Sequence, residues 1–541
     1  MKVDVLFKNG LSCLLFPLFI STVIHAQQLP NILWITAEDV SPRFSFYGDS
    51  TVKTPNLERL ANEGVVYDRA FATYGVCAPA RHTLIMGMYP TSTGAGAMRT
   101  WKRTSAIKEI SDPKLLNIPL YEATPPIGAR CFTEYLRAVG YYCTNNDKTD
   151  YQFRSPITAW DENSKEAHWR NRPNKKMPFF SVFNFNITHE SGIHQPKSPA
   201  VTNPGRVDVP PYYPSTPTVR QDIATHYDNI VALDEQIGVL LTQLEADDLL
   251  DKTIIFFFGD HGDGLPRAKR WVYDSGIRVP LVIRFPELVN ETRNDELVSF
   301  VDFAPTILSL ADIKIPEYIE GQAFLGKQKS TPRKYIYAFR DRMDPAPETI
   351  RAVRDQRFKY IRNYRPDLPY IGFIPYRDRM KMMQEINQLA AENQLNGNQW
   401  QFWVKGKPFE ELYDTESDPH EIKNLAGDLA HHNKLLELRK AHEDWTEKYG
   451  DLGRISEEEL IGKLWPPNGN QPTTENPEIN LQGLQIELTC ATEGASIAYR
   501  LNKNGRWLLY TEPFSVKGVR QVESKAIRLG WKESELKRLK L

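Results

Sequence analysis

The chain lacks most of what would place it by composition alone. Cysteine is scarce, five in 541 residues, and none falls in a CxxC pair, which removes the commonest structural zinc pattern. Histidine is sparse too, at 11, so a site built from imidazole and thiolate is disfavoured. Neither sign of charge is in excess, with 67 Lys plus Arg against 68 Asp plus Glu. That balance removes any whole-protein case for nucleic acid or an anionic membrane surface, and anion recognition has to be local. There is no internal repeat or low-complexity tract, and past the N-terminus no apolar run approaches the ~20 residues that span a bilayer.

What the N-terminus does have is Lys2 and Lys8, an apolar stretch from Leu11 to Ile24 interrupted by Pro17, and then His25-Ala26-Gln27-Gln28. A basic start, a short apolar centre and a small residue before a polar break describe a secretory signal peptide over 1–26, cleaved near Ala26. An exported product, periplasmic or secreted, is expected. Removal of Cys13 with it leaves Cys77, Cys131, Cys143 and Cys490; the spacing leaves open whether Cys131 and Cys143 pair.

A chain of 541 residues exceeds what one growing core holds, so two or three packed units are expected. The first two thirds alternate short apolar runs with amphipathic stretches, the pattern of an α/β fold with a mainly parallel sheet sandwiched by helices. Strands are expected at Asn31–Thr36, Gly140–Thr144, Phe179–Phe185 and Thr253–Phe258, and helices at Pro55–Gly64, Phe132–Val139 and Asp222–Leu250. This catalytic unit is assigned to 27–350. Residues 351–464 read as a smaller antiparallel subdomain, with strands in RAVRDQRFKYIRNY and ELYD and helices near Met380–Glu392 and His432–Tyr449. WPPNGNQPTTENPE, 465–478, reads as a linker, and 479–541 as a small all-β unit.

Open α/β sheets place their sites at the carboxyl ends of strands, and polar residues follow each buried strand here. Glu38-Asp39 follow the first, Lys148 and Asp150 the second, His189 and Glu190 the third, Asp260-His261 the fourth. Carboxylates from two strand ends with one imidazole make an oxygen-rich site suited to Ca²⁺, or Mg²⁺, more than to zinc. Cys77-Ala78-Pro79-Ala80-Arg81 precedes a helix-like HTLIMG. Proline just inside a helix start puts Cys77 at the helix N-terminus, where free N–H groups favour anions, with Arg81 one turn on along the same face.

These segments resemble the type I sulfatases of the alkaline phosphatase superfamily. C-x-P-x-R is that family's maturation motif, in which a formylglycine-generating enzyme converts the cysteine to formylglycine. NILWITAED, TPNLERLANEG, GDHG, KRWVYDSGIRVPLVIRFP, VDFAPTILSLA and ELYDTESDPHEIKNLA extend the likeness over about 30–450. The resemblance implies an alkaline phosphatase-like fold and a sulfuric ester hydrolase. Carried over residue by residue, Glu38, Asp39, Asp260 and His261 would hold the metal with the oxygen of the modified Cys77. Arg81 and Lys148 would stabilise the formylglycine and the sulfate, His189 would protonate the leaving alcohol, and Lys269 would grip a sulfate oxygen. The sequence departs from the family at Glu38 (usually Asp), Ala80 (usually Ser) and Asp150 (often His). A hydrated aldehyde suits the reaction because one hydroxyl attacks sulfur while the other later expels sulfate.

The rival enzyme class, a phosphodiesterase or phosphonate hydrolase, usually has a Thr or Ser nucleophile and a His-rich two-zinc cluster, and the sequence shows neither. A catalytically dead carbohydrate-binding relative is opposed by the presence of Cys77 and every metal carboxylate. The expected partner is a sulfated glycan, either an algal polysaccharide such as ulvan or a glycosaminoglycan. A heparan N-sulfatase (sulfamidase) and a small-molecule arylsulfatase are the alternatives. Arg99 to Arg103 (RTWKR) and Trp160 to Arg172 (WDENSKEAHWRNR) offer Trp for stacking and Arg for carboxylates, and Asp150 and Arg99 are the candidate substrate contacts. From about Leu481 the chain resembles the small β-sandwich of some chitobiases, which fits a glycan setting.

Overall fold

In the computed structural model, which describes residues 29–100, 113–287, 292–403 and 406–541, the strand Asn31–Ala37 (β1) is buried almost throughout. Ile32 and Trp34 face one apolar core, Leu33 and Ile35 the other, as the two-residue period of a strand requires. Such a strand belongs mid-sheet beneath two helical layers. The sheet adds Val65–Phe71 (β2), Tyr142–Asn146 (β3), Glu162–Asn163 (β4), Phe179–Phe185 (β5), Thr253–Gly259 (β6), Arg278–Val279 (β7), Leu281–Arg284 (β8) and Arg293–Ser299 (β9). Its order is β4-β3-β5-β1-β6-β8-β2-β7, with β9 beside β2. From β4 to β6 all neighbours are parallel; β8 and β7 run antiparallel to theirs.

On one face Trp34 meets Phe180, Phe258 and Phe303 edge-on, contacts worth ~0.5–1.5 kcal/mol each beyond area burial. Helices Cys77–Met86, Phe132–Ala138 and Phe303–Leu310 cover this side. Pro55–Asn62 and the long helix Pro217–Ala246 cover the other. The long helix starts earlier than its apolar spacing alone suggested, because Thr216 Oγ1 caps Val219 N–H at 3.2 Å and Pro217 opens the first turn.

The second sheet is antiparallel, in the order Ile336–Arg340 (β10), Ile350–Arg354 (β11), Phe358–Asn363 (β12), Glu410–Asp414 (β13). Helix His432–Tyr449 closes it through Leu435 and Leu438 against Val353 and Tyr360. Phe339 N–H donates to Thr73 O at 2.8 Å, which ties this sheet to the segment leading into Cys77. The last residues form two small sheets, Glu478–Gln482, Gln485–Thr489 and Phe514–Ser515 in one and Ser496–Leu501, Leu508–Leu509, Gln521–Ile527 and Lys537–Lys540 in the other. They enclose Ile486, Ile497, Val522 and Ala526.

The stretch 465–478, expected as a flexible linker, is anchored to the rest of the chain at Trp465, Thr474 and Pro477, with most of the residues between them exposed or half-buried. Trp465 is buried, and its Nε1–H donates to Gly530 O at 3.1 Å and Thr124 Oγ1 at 3.2 Å. Gly530 sits at φ +80°, and a Cβ there would lie 2.3 Å from Thr124 Oγ1; only glycine permits this approach. Arg137 Nη2 donates to Trp507 O at 2.9 Å and Arg528 Nη2 to Pro125 O at 2.8 Å. Prolines exclude helix and central strand, but their rings and carbonyls still dock. Among the described residues no helix is long and apolar enough to cross a membrane. The signal segment expected over 1–26 and Trp101, Lys102 and Arg103 lie outside the described residues.

Candidate active site

The four strand ends converge. Glu38 and Asp39 leave β1, Lys148 and Asp150 follow β3, the loop after β5 brings His189, and Asp260 and His261 leave β6. Ligand atoms of Asp39, Cys77, Asp260 and His261 all lie within 4.8 Å of one another, as do those of Glu38, Asp39, Cys77 and His189. Cys77 is the first residue of helix Cys77–Met86 and is fully buried. Its Sγ stands 3.3 Å from His261 Nε2. Arg81, one turn on, donates through Nε and Nη2 to Asp260 Oδ2 at 3.1 and 3.0 Å and through Nη1 to Asn184 Oδ1 at 2.5 Å.

Two lysines bracket the cluster. Lys269 Nζ lies 2.6 Å from Asp39 Oδ2 and 3.2 Å from Glu190 Oε1. Lys148 Nζ lies 2.7 Å from Glu38 Oε2 and 3.7 Å from Asp150 Oδ2. Arg99 Nη2 reaches Asp150 from the other side at 3.5 Å. Burial alone would lower both lysines; for Lys148 the charges of Cys77 and Glu38, and for Lys269 those of Asp39 and Cys77, reverse this and raise them. Both stay cationic. Burial opposes ionisation of Asp39, yet Lys269, His189 and His261 hold it well below the usual carboxylate range. Asp260 is likewise lowered against burial, by His261, Arg81 and Lys148.

The donor set fits a divalent cation. Asp39 Oδ1 is buried and makes no well-aligned hydrogen bond, its nearest partner being His261 Nε2. His261 Nδ1–H donates to Gly262 O at 2.9 Å, which aims Nε2 at Asp39 Oδ1, 3.1 Å away, and Asp260 Oδ1, 3.6 Å away. Burial lowers this imidazole, but Asp260 and Asp39 overrule it and raise it to about 10. A cation bound there would take the place of that proton. Carboxylate oxygens with a single imidazole suit a hard ion.

His189 Nδ1 accepts from Ser191 N–H at 3.2 Å, so a proton on the neutral ring sits on Nε2. The structure brings Glu38, Asp39, Cys77, Arg81, Lys148, His189, Asp260, His261 and Lys269 together, with Asp150 and Arg99 in an outer position linked through Lys148. Asp39, Arg99 and Asp150 hold positive φ, at 54°, 52° and 51°, a cost that tertiary contacts sustain at functional sites. The loop Trp160 to Arg172, expected to present rings to a sugar, does not. Trp160 stacks on Phe180, Trp169 is sealed with Nε1–H on Asp247, and Arg170 pairs with the same carboxylate. Cys131 and Cys143 are free buried thiols.

Sequence reasoning missed two supports. Asn184, which holds Arg81, is a lone amide near the end of an apolar strand, and that isolation was its signal. The bidentate pair of Arg270 with Glu190, at 2.9 and 2.6 Å, joins residues about 80 apart, which no spacing rule reveals.

Comparison with known proteins gives the family of the chain. Residues 30–313 match the family described as Sulfatase, and 263–403 match the family described as N-sulphoglucosamine sulphohydrolase, C-terminal. An ulvan-active sulfatase of Formosa agariphila is 45% identical, over 95% of this chain and 92% of its own length. Human N-sulphoglucosamine sulphohydrolase is 23% identical, over 77% of this chain and 89% of its own. A solved structure in complex with its substrate D-glucosamine-2-N,6-O-disulfate shares the fold with TM-score 0.53 and 18% identity, over 79% of this chain and 100% of that one. The chain belongs to the sulfatase family and is a sulfuric ester hydrolase.

Proposed function

We propose that this chain is an exported sulfatase that removes sulfate from ulvan or a closely related algal polysaccharide, using a formylglycine made from Cys77 beside a Ca²⁺ ion. The observation that carries the reading is the Cys77 thiol at a helix N-terminus, 3.3 Å from His261 Nε2 and within the carboxylate cluster. The likeness to an ulvan-active sulfatase over nearly the whole chain favours ulvan over a small aryl sulfate. The basic and apolar N-terminal segment ending near Ala26 supports export, and a formylglycine-generating enzyme is the required partner.

Glu38, Asp39, Asp260 and His261 would hold the cation, with Mg²⁺ as the other hard ion the set could accept. When bound, a divalent ion supplies charge neutralisation at the sulfuryl oxygens and lowers the pKa of the attacking hydroxyl. The protein's own groups do the rest. Arg81, Lys148 and Lys269 sit where charge gathers on sulfate and are already fixed by Asp260, Glu38 and Asp39, so little reorganisation is needed. His189, beside Cys77 in the cluster, would deliver its proton to the departing sugar oxygen.

The match to an N-sulphoglucosamine sulphohydrolase C-terminal region over 263–403 favours one second reading, N-sulfate on a glycosaminoglycan. Sulfate release from ulvan oligosaccharides, heparan oligosaccharides and 4-nitrophenyl sulfate separates the readings. Turnover highest on ulvan fragments is expected, and turnover confined to N-sulfated glucosamine would replace ulvan by the second reading.

A further inference from the structure

Most charged side chains around the Lys269–Trp271 segment pair off; Arg267, without a carboxylate partner among the described residues, donates to Glu421 O at 2.7 Å and lies against the rings of Tyr212, Tyr273 and Phe402, which leaves Arg340. Arg270 is held by both oxygens of Glu190, Arg377 by Asp378 at 2.7 Å, and Lys407 by Glu348 at 2.8 Å. Arg340, the last residue of β10, is 2% exposed and has no carboxylate at ion-pair distance among the described residues. Its Nε and Nη1 are buried with no hydrogen-bond partner. The guanidinium lies 3.9 Å over the Trp271 ring. Burial pulls Arg340 down, Glu348 opposes this, and the fields of Arg377 and Arg270 add to it.

A contact with an aromatic face recovers only part of the cost of desolvating a cation. Two unsatisfied guanidinium nitrogens add to that cost. A ligand that supplies the missing anion would relieve that cost. The place is next to the reaction centre: Phe339 N–H is bound to Thr73 O, and Arg270 N–H to Gly75 O at 2.6 Å. Arg340 and Trp271 therefore flank the segment that runs into Cys77, beside Lys269.

We propose that Arg340, braced on Trp271 and flanked by Arg270 and Arg377, binds a second oxyanion of the substrate. This is a uronate carboxylate or a second sulfate ester, on the sugar that carries the scissile sulfate or on its neighbour. The inference rests on the reading of this chain as a glycan sulfatase. A planar guanidinium with free donors matches either oxyanion.

The test compares kcat/KM on three versions of one sulfated oligosaccharide: intact, with the uronate carboxyl reduced to an alcohol, and with any second sulfate removed. Wild type is expected to prefer the intact substrate by about tenfold or more over one of the two altered forms, which identifies the anion. In Arg340→Met that ratio should fall toward one, and Arg340→Lys should keep part of it. Without substrate, Arg340→Met should melt no lower than wild type, because it replaces an unpaired buried charge by an apolar side chain. Ratios unchanged in Arg340→Met overturn the proposal. So does a lower melting temperature with equal loss on all three substrates, which would make Arg340 a packing residue. If wild type releases no sulfate from any glycan, the glycan reading itself fails and takes this proposal with it.

Discussion

The Asp150 carboxylate lies 3.5 Å from the Arg99 guanidinium, and both residues hold left-handed backbone, at φ 51° and 52°. Burial favours neutral Asp150, yet Lys148, Arg99 and Arg81 hold it at about 2. It therefore stays ionised through any practical assay range and has no proton to exchange near neutrality.

Asp150 stands where the family often has histidine, and its contacts with Lys148 and Arg99 make a positioning role the hypothesis to test. Asp150→Asn, nearly isosteric, is expected to raise KM while leaving both limbs of the pH–rate curve in place. Asp150→His should not improve turnover of the natural glycan. Loss of one limb at unchanged KM would make Asp150 a general base instead.

His189 is assigned the proton for the leaving alcohol. A sugar alkoxide needs that proton and a nitrophenolate does not, so His189→Ala should cut kcat/KM on a sugar sulfate by about 10²–10⁴. The loss on 4-nitrophenyl sulfate should be far smaller. Equal losses on both substrates would remove the acid role.

Away from the site, Glu320 Oε2 accepts Tyr89 N–H at 2.6 Å, and burial raises its pKa to about 7 from an ordinary 4.5. The folded state thus prefers the protonated acid. Its contribution is fully present below the unfolded pKa and is lost as pH rises through the folded one, so above pH 7 the carboxylate costs on the order of 1–3 kcal/mol. Glu320→Gln should melt near wild type at pH 4 and above it at pH 8. A difference independent of pH would contradict this.

Residues 479–541 contribute no group to the reacting centre, but Arg137, Trp507, Arg528 and Pro125 bind the two parts together. Their deletion is expected to keep kcat/KM on 4-nitrophenyl sulfate within a few-fold of wild type. It should lower the melting temperature by at least ~2 °C. A folded but inactive truncation would show that the β unit completes the site.

The reacting cluster was legible because its chemistry sits in short motifs just past strongly apolar strands. Glu38-Asp39 and Asp260-His261 could be read as strand-end carboxylates, and Cys77 with Pro79 as a helix start. Long-range pairing was not legible: neither Arg270 on Glu190 nor the unpaired Arg340 can be inferred from composition. Trp160 and Trp169 were misread because an aromatic ring in a polar segment looks alike in a sugar cleft and in a core. Residues 465–478 were misread because proline reports what a segment cannot form, not whether it docks.

Metal dependence is expected from the convergence of Asp39, Asp260 and His261, whose ligand atoms with that of Cys77 lie within 4.8 Å of one another. Stripping with chelator should abolish turnover, and Ca²⁺ should restore it. Full activity in protein shown by elemental analysis to be free of divalent metal would contradict the ligand set.

The central claim is that Cys77 acts as formylglycine and not as a thiol. The most direct measurement is the specific activity of preparations that differ in the converted fraction of Cys77, quantified by mass spectrometry of the peptide that carries it. Sulfate release should rise in proportion to that fraction, pass through the origin, and vanish in Cys77→Ala. Full activity in a preparation whose Cys77 is entirely thiol would contradict the account.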